Sequence, residues 1–377
     1  MVTERTDLLV IGAGPYGYAA AAYAGDRGID THVVGLPLSF WRDQMPSDMY
    51  LRSGLDWYLD ANREHTFAAY AEEHGIAPAD VDPIPIDVWL DHAEWFARQK
   101  GLAADPRLVA DLTKPNGSFV AEMADGSRIE AEKVLVAPGV GYFAQRPDWH
   151  ARVPAERQSH TLDRVTFDDL SGARVAVIGG RQSAYEWAAL LCDHGAERVD
   201  VVHRHPTPAF ERVSWGFVDA YVDQTLAQRG WWRSLSADER AGIAQEFWQV
   251  GRLTLEHWLV PRLRPEVVHS HGQCAVTDVE GDGPVRLTLS DGDVLEVDHV
   301  VFASGYKPDI ARVPYLTGVL DRVQSTEGFP DLSEGFETSL PGLYTVGFLA
   351  TKDFGPFYGF TKGCPSAAKI VVDEMVG

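Results

Sequence analysis

The chain has 377 residues, 45% of them hydrophobic and 23% charged, which are globular values, and the length points to two or three domains. Its 55 Asp and Glu outweigh 33 Lys and Arg, giving a formal charge of −22. That excludes the basic stripe needed to bind nucleic acid or an anionic membrane. Cys192, Cys274 and Cys364 lie far apart, with no C-x-x-C pair and no metal-ligand spacing. A sequence-adjacent redox dithiol is therefore excluded, no metal is expected, and the cysteines suit a reducing cytosol. No apolar run approaches the ~18 residues that span a bilayer, and no signal core precedes the first strand. The expectation is a soluble, cytoplasmic protein.

The first forty residues form a βαβ unit. An apolar strand, Leu8 to Ile11, feeds the turn Gly12 to Gly17, and an alanine-rich helix runs to about Asp26. Gly28 then releases the chain into a second strand, "IDTHVV". Such a glycine turn lets a pyrophosphate approach the backbone at the helix N-terminus. Gly12, Gly14, Pro15, Tyr16 and Gly17 are the candidate binding residues. An acid is expected near the end of the second strand for the ribose, but Gly35 stands there. No ribose-binding residue is assigned.

Next comes the loop "SFWRDQMPSDMYLRSGLDWYLD", where chain segments approach a bound cofactor ring. Trp41 and Arg52 are cofactor candidates there, and Arg52 is also a catalytic candidate. A salt bridge to Asp56 at helical spacing is the alternative role for Arg52. Helical spacing follows in "HTFAAYAEEHGI" and "IPIDVWLDHAEWFARQKG", and then strands lead to Pro138-Gly139.

A second βαβ unit runs from Arg174 to about His205, through "RVAVIGGRQSAYEW". Gly179, Arg181, Gln182 and Ser183 are its candidate phosphate contacts. Arg181 stands at the middle-glycine position, to lie over phosphate or to serve as a solvent-facing turn residue. Arg204, in "VVHRHP", occupies the place where NAD enzymes carry an acid, which favours a 2′-phosphate and hence NADPH. Two adjacent dinucleotide folds commonly hold a flavin and a nicotinamide for hydride transfer. FAD is therefore expected in the first unit and NADPH in the second.

A helical stretch from Thr207 to about Arg264 carries five of the eleven tryptophans. Most read as core, while Trp215 and Phe217 are candidates for the substrate mouth. The chain then returns to β-structure and ends in a helix from near Gly363, whose N-terminus is a candidate to face the flavin. The expected fold is α/β, with two Rossmann-like domains for FAD and NADPH, the second inserted in the first. The expected boundaries are 1–165 and 296–377 for the FAD domain. Residues 166–295 form the NADPH domain, with a helical substrate-region insert at 206–265. The strand near residue 300 is expected to rejoin the first domain.

The sequence resembles the flavin-containing monooxygenase superfamily, most closely its N-hydroxylating branch of ornithine and lysine N-hydroxylases. "VIGAGPYG" looks like that family's FAD loop, and "VIGGRQSAYE" is similar to its NADPH loop G-G-G-Q-S-A-x-E. "DHVVFASGY", with Ser304, Gly305 and Tyr306, resembles D-x-x-x-(L/F)-A-T-G-Y. Where the family has F-V-N-E, this chain reads Phe217-Val218-Asp219-Ala220, which makes Asp219 a catalytic candidate. His160 either matches the histidine of the Baeyer–Villiger relatives or is a linker residue. The resemblance implies an NADPH-dependent monooxygenase using a flavin hydroperoxide, with a small-molecule substrate and dioxygen as partners. N-oxygenation of an amine is favoured. Baeyer–Villiger or sulfur oxygenation, and a reductase passing electrons to a partner, are the alternatives. The sequence leaves the oligomeric state open, a homo-oligomer included.

Overall fold

The computed structural model describes residues 3–281 and 283–377. Strand β1 (Thr3–Ile11) leads into helix α1 (Pro15–Asp26) and strand β2 (Thr31–Val34), as the glycine and alanine pattern dictates. Leu8, Leu9 and Val10 are fully buried, since a central parallel strand is covered on both faces. β1 pairs in parallel with β2 and with β3 (Arg128–Val136), aligning Ile11 with Val34 and with Val136. Residues Phe119–Met123 and Val109–Thr113 extend this seven-stranded sheet antiparallel, and Leu343–Thr345 joins beside the C-terminal half of β3.

The second lobe repeats the plan. Strand β4 (Arg174–Ile178), helix α2 (Gln182–Asp193) and strand β5 (Arg198–His203) form its βαβ unit. Beyond β4 lies β6 (His299–Phe302), also parallel. Residues Gln158–His160 and Val268–Gly272 close the two edges of this five-stranded sheet. An antiparallel meander over 276–297 packs beside it.

Two strands lie on the other side of the expected boundaries. His299–Phe302 was expected in the first lobe, and Gln158–His160 falls within 1–165, yet both belong to the second sheet. The reason is burial. All four residues of β6 are inaccessible, which demands a parallel neighbour on each side, and β4 and Gln158–His160 supply them. The chain crosses back only after Phe302, where Gln145 N donates to Gly305 O (2.9 Å) and Lys307 N to Phe143 O (2.8 Å). Asp298 anchors the start of β6, accepting from Arg174 N (2.9 Å) and Arg174 Nε (3.1 Å).

The chain closes with helix α3 (Cys364–Val376), packed on α1. The run Ala19–Ala22 keeps α1 thin enough to lie close to both β1 and α3. Among the described residues no helix is long and apolar enough to cross a membrane.

Candidate functional site

The two glycine turns share one construction. Gly12 N donates to Val34 O (2.9 Å) and Gly179 N to Val202 O (3.0 Å), while the facing strands contribute Ala137 N to Ile11 O and Ala303 N to Ile178 O. Gly12 has φ +117° and Gly179 φ +147°. A Cβ on Gly12 would meet Ala137 O at 2.2 Å, and one on Gly179 would meet Ala303 O at 2.3 Å. Only glycine fits either place. A Cβ on Gly17 would meet Gly12 O at 1.8 Å, so α1 packs directly on its turn, and the buried Ala184 fills the equivalent place in α2. At Gly14 a Cβ would meet nothing within 4 Å, so this backbone faces open space.

One cavity of about 1930 Å³ opens between the lobes. Gly12, Gly14, Pro15, Tyr16 and Trp41 line it from the first lobe, and Gly179, Arg181, Gln182, Ser183 and Arg204 from the second. Arg52, Trp215 and the crossing residues Ser304, Gly305 and Tyr306 complete the set of expected residues found there. Both glycine turns thus face a shared space. The first offers an open helix N-terminus at Gly14 and the second an exposed cation at Arg204, as two dinucleotides require.

The missing acid has a local cause. Gly35 has φ +127°, and its Cβ would lie 3.3 Å from Ala13 N, so the chain end of β2 presses on the turn itself. In the second lobe the roles are exchanged. His203 takes the place of Gly35, and Gly180 takes that of Ala13, because a Cβ on Gly180 would meet the His203 ring at 2.2 Å. His203 Nδ1 bonds to His205 O (2.8 Å), and its Nε2 bonds to Tyr185 Oη (3.1 Å). Burial holds its pKa below the usual histidine value, which favours the neutral ring.

Arg181 is not a solvent-facing turn residue. Its guanidinium lies 3.9 Å from the Trp248 ring centroid, and burial lowers its pKa. Gln182 braces the insert, accepting from Glu256 N (3.0 Å) and donating to Glu186 Oε2 (2.9 Å). Glu186 is itself buried, which pushes its carboxyl up to about 7 against the pull of Arg262. Tyr16 Oη donates to Phe360 O (2.9 Å), tying the first turn to the C-terminal loop.

Several expectations are corrected. Arg52 does not pair with Asp56. Its Nε donates to Glu256 Oε1 (2.8 Å), one terminal nitrogen to Gly251 O (2.8 Å) and the other to Thr254 O (3.3 Å). Arg52 is a clasp between the first lobe and the insert, with its donors already engaged. Asp56 instead meets Lys362 Nζ (2.7 Å), which also holds Asp219 (2.8 Å). Asp219 therefore lies outside the cavity, at the start of the helix Asp219–Ala227, where it lines a separate pocket of about 350 Å³ together with Lys362. Phe217 likewise does not line the cavity but stacks behind Trp215, centroids 6.0 Å apart. The N-terminus of α3 is covered by Tyr16 and Tyr358, and it is the preceding loop, Pro356 to Thr361, that reaches the cavity. His160 is inaccessible at the end of the edge strand Gln158–His160, outside the cavity, with Nδ1 accepting from Leu162 N (3.1 Å).

Sequence reasoning missed Trp248, Arg252 and Phe360. They sit in a π-helical turn, Phe247–Arg252, and in the C-terminal loop, and no motif marks either place. Trp215 and Trp232 are buried and Trp248 is 38% exposed, and all three line the cavity.

Paired dinucleotide folds facing one cleft define a two-lobed nucleotide-dependent oxidoreductase fold. Residues 6–232 match the model of the pyridine nucleotide-disulphide oxidoreductase family, and the chain belongs to that family. It is 31% identical over 147 residues to the FAD-dependent urate hydroxylase of Xanthomonas campestris pv. campestris, covering 37% of this chain and 31% of that protein. It is 31% identical over 217 residues to a ferredoxin–NADP reductase of Nocardioides sp., covering 52% and 54%. These alignments thus span from about a third to just over half of the relatives' own lengths. Over its whole length the fold is similar to that of the ornithine N-hydroxylase of Kutzneria sp. 744, solved with reduced FAD, NADP+ and L-ornithine. The TM-score is 0.81 at 16% identity, with 99% of both chains covered. The fold is thus of the kind that the resemblance in the motifs implied.

Proposed function

We propose that the protein is an FAD- and NADPH-dependent monooxygenase acting on a small molecule, with FAD on the Gly12–Gly17 turn and NADPH on the Gly179–Ser183 turn. The cavity shared by both turns carries this reading, because residues of the insert wall the same space in which a nicotinamide and a flavin would meet. Bound FAD, once reduced by NADPH, would supply activation of dioxygen.

The chain's own residues do the rest. The open backbone at Gly14 and the N-terminus of α1 would hold the FAD pyrophosphate. Arg204, exposed and free of ion pairs among the described residues, would pair with a 2′-phosphate. Arg52, anchored on Glu256, closes the insert over the cavity, while Trp215, Phe247 and Phe360 keep water from that wall. Transfer of oxygen to an amine nitrogen remains the favoured outcome, on the resemblance to the N-hydroxylases alone.

A second reading is a reductase that passes electrons to a protein partner, favoured by the likeness to the ferredoxin–NADP reductase. Isotopic oxygen separates them. The purified yellow protein, given NADPH, 18O2 and a panel of amines, sulfides and ketones, should release a product carrying one labelled atom. A protein that bleaches with NADPH, reduces ferredoxin and labels nothing is the reductase.

A further inference from the structure

Although the chain carries a net charge of −22, the cavity wall holds seven cations and, among the described residues, one acid, Asp148. Three of the cations are matched: Arg52 by Glu256, Arg146 by Asp163 and Lys352 by Asp331. Arg252 is not. It makes no ion pair and no side-chain hydrogen bond among the described residues. Its guanidinium lies instead 5.3 Å from the Trp248 ring centroid and 5.2 Å from that of Phe360.

The position of Arg252 is built rather than incidental. It ends the π-helical turn Phe247–Arg252, a distortion that commonly marks functional sites. Gly251 before it is pressed beneath Trp215, where a Cβ would meet the indole at 2.5 Å, and Gly251 O is held by Arg52 at 2.8 Å. Burial and the nearby charges of Arg181 and Arg52 push the Arg252 pKa down to about 10, so a neighbouring anion would relieve both effects.

We propose that Arg252 anchors the carboxylate of an anionic substrate whose flat apolar body lies along Trp248, Phe247 and Phe360. This rests on the proposed monooxygenase function only in calling the ligand a substrate. Among the described residues the cavity offers no cluster of carboxylates to receive a lone ammonium, so an amine substrate would be held through an acid group that it also carries, and an unmatched guanidinium in an aromatic wall supplies the partner. Arg181 belongs to the second glycine turn. Arg252 shares the Trp248 ring with it and alone of the two also faces Phe360 of the C-terminal loop. A nucleotide pyrophosphate is the other source of an anion, and the test separates the two.

Naphthalene-2-carboxylate, its neutral carboxamide and 2-naphthylmethylamine are titrated calorimetrically into the FAD-loaded protein, with and without saturating NADP+. The carboxylate should bind roughly ten-fold or more tighter than the amide, the worth of a charge-assisted hydrogen-bonded pair, and the amine weakest. Arg252→Gln should bring acid and amide to within about two-fold, Arg252→Lys should retain part of the difference, and NADP+ affinity should hold in both. Circular dichroism checks that the variants fold. Equal binding of acid and amide by the native protein overturns the proposal. So does loss of NADP+ affinity in Arg252→Gln, or NADP+ blocking the acid, either of which assigns Arg252 to the nucleotide. No turnover is measured, so a failure here leaves the monooxygenase test independent.

Discussion

Gly14 and Arg181 hold the same place in their two lobes. Each is the residue before its helix, with φ −97° and ψ −172° at Gly14 and φ −109° and ψ −173° at Arg181. That is extended backbone open to any residue, so the arginine costs its turn no strain. What glycine provides at position 14 is the absence of a side chain facing the cavity. The glycine that the turn itself cannot lose is the first one.

The two glycines should accordingly fail in different ways. Gly12→Ala places a Cβ 2.2 Å from Ala137 O at φ +117°, and should cost more than about 3 kcal/mol of stability, giving poorly folded protein. Gly14→Ala meets no atom within 4 Å and should melt within about 1 kcal/mol of the native protein, yet retain FAD poorly. Thermal melts and flavin content measured side by side check both. A Gly14→Ala protein that stays fully yellow removes the first turn as the pyrophosphate site.

Arg204 lies two residues past the last β5 pairing with β4, where Leu36 stands in the first lobe. Arg204→Ala should raise KM for NADPH about ten-fold or more, the value of a charge-assisted pair, and leave KM for NADH within about two-fold. Steady-state oxidation of both nucleotides measures this. Equal effects on the two would detach Arg204 from the 2′-phosphate.

Both nucleotide units were legible because their signals are local. A fully apolar strand, a glycine that must adopt positive φ and a small-residue helix all lie within about thirty residues, as at Leu8–Val34 and Arg174–His203. Long-range partners were not legible. His299–Phe302 has the composition of a buried strand, but nothing local says which sheet buries it. The partner of Arg52 is Glu256, 204 residues away, whereas Asp56 at helical spacing looked natural and is taken by Lys362. Arg252 has no motif at all. Its role emerges only when Trp248 and Phe360, more than a hundred residues apart in sequence, converge on one cavity wall.

The Arg52–Glu256 clasp gives a prediction about stability as well as closure. Glu256 is 2% exposed, so Arg52→Ala leaves a buried carboxylate without its cation and should cost roughly 3–5 kcal/mol. Adding Glu256→Gln should recover much of that loss. The double-mutant cycle by chemical denaturation reads the coupling directly, and additive effects would show that the clasp is idle.

His92 sets an acid limit on the fold. It is 1% exposed on the helix Ile86–Gln99, with Phe67, Tyr70 and Trp95 rings at centroid distances of 5.0, 5.6 and 6.1 Å. Neither ring nitrogen has a hydrogen-bond partner among the described residues, and burial holds its pKa down to about 4 against 6.5 for the unfolded chain. Between those values the unfolded state takes up a proton that the folded state refuses, so stability is full above pH 6.5 and falls as pH drops toward 4. His160 and His299, also held down to about 4 by burial, steepen the same loss. The His92 share over that window is up to about 3 kcal/mol. His92→Phe keeps the aromatic nest without a titrating group, so its stability should match or exceed that of the native protein at pH 7 and decline less steeply in acid. Urea denaturation at intervals from pH 7 to pH 4 measures both slopes. Parallel slopes would mean that His92 already takes up its proton in the folded chain, and the acid sensitivity would then lie with His160 and His299.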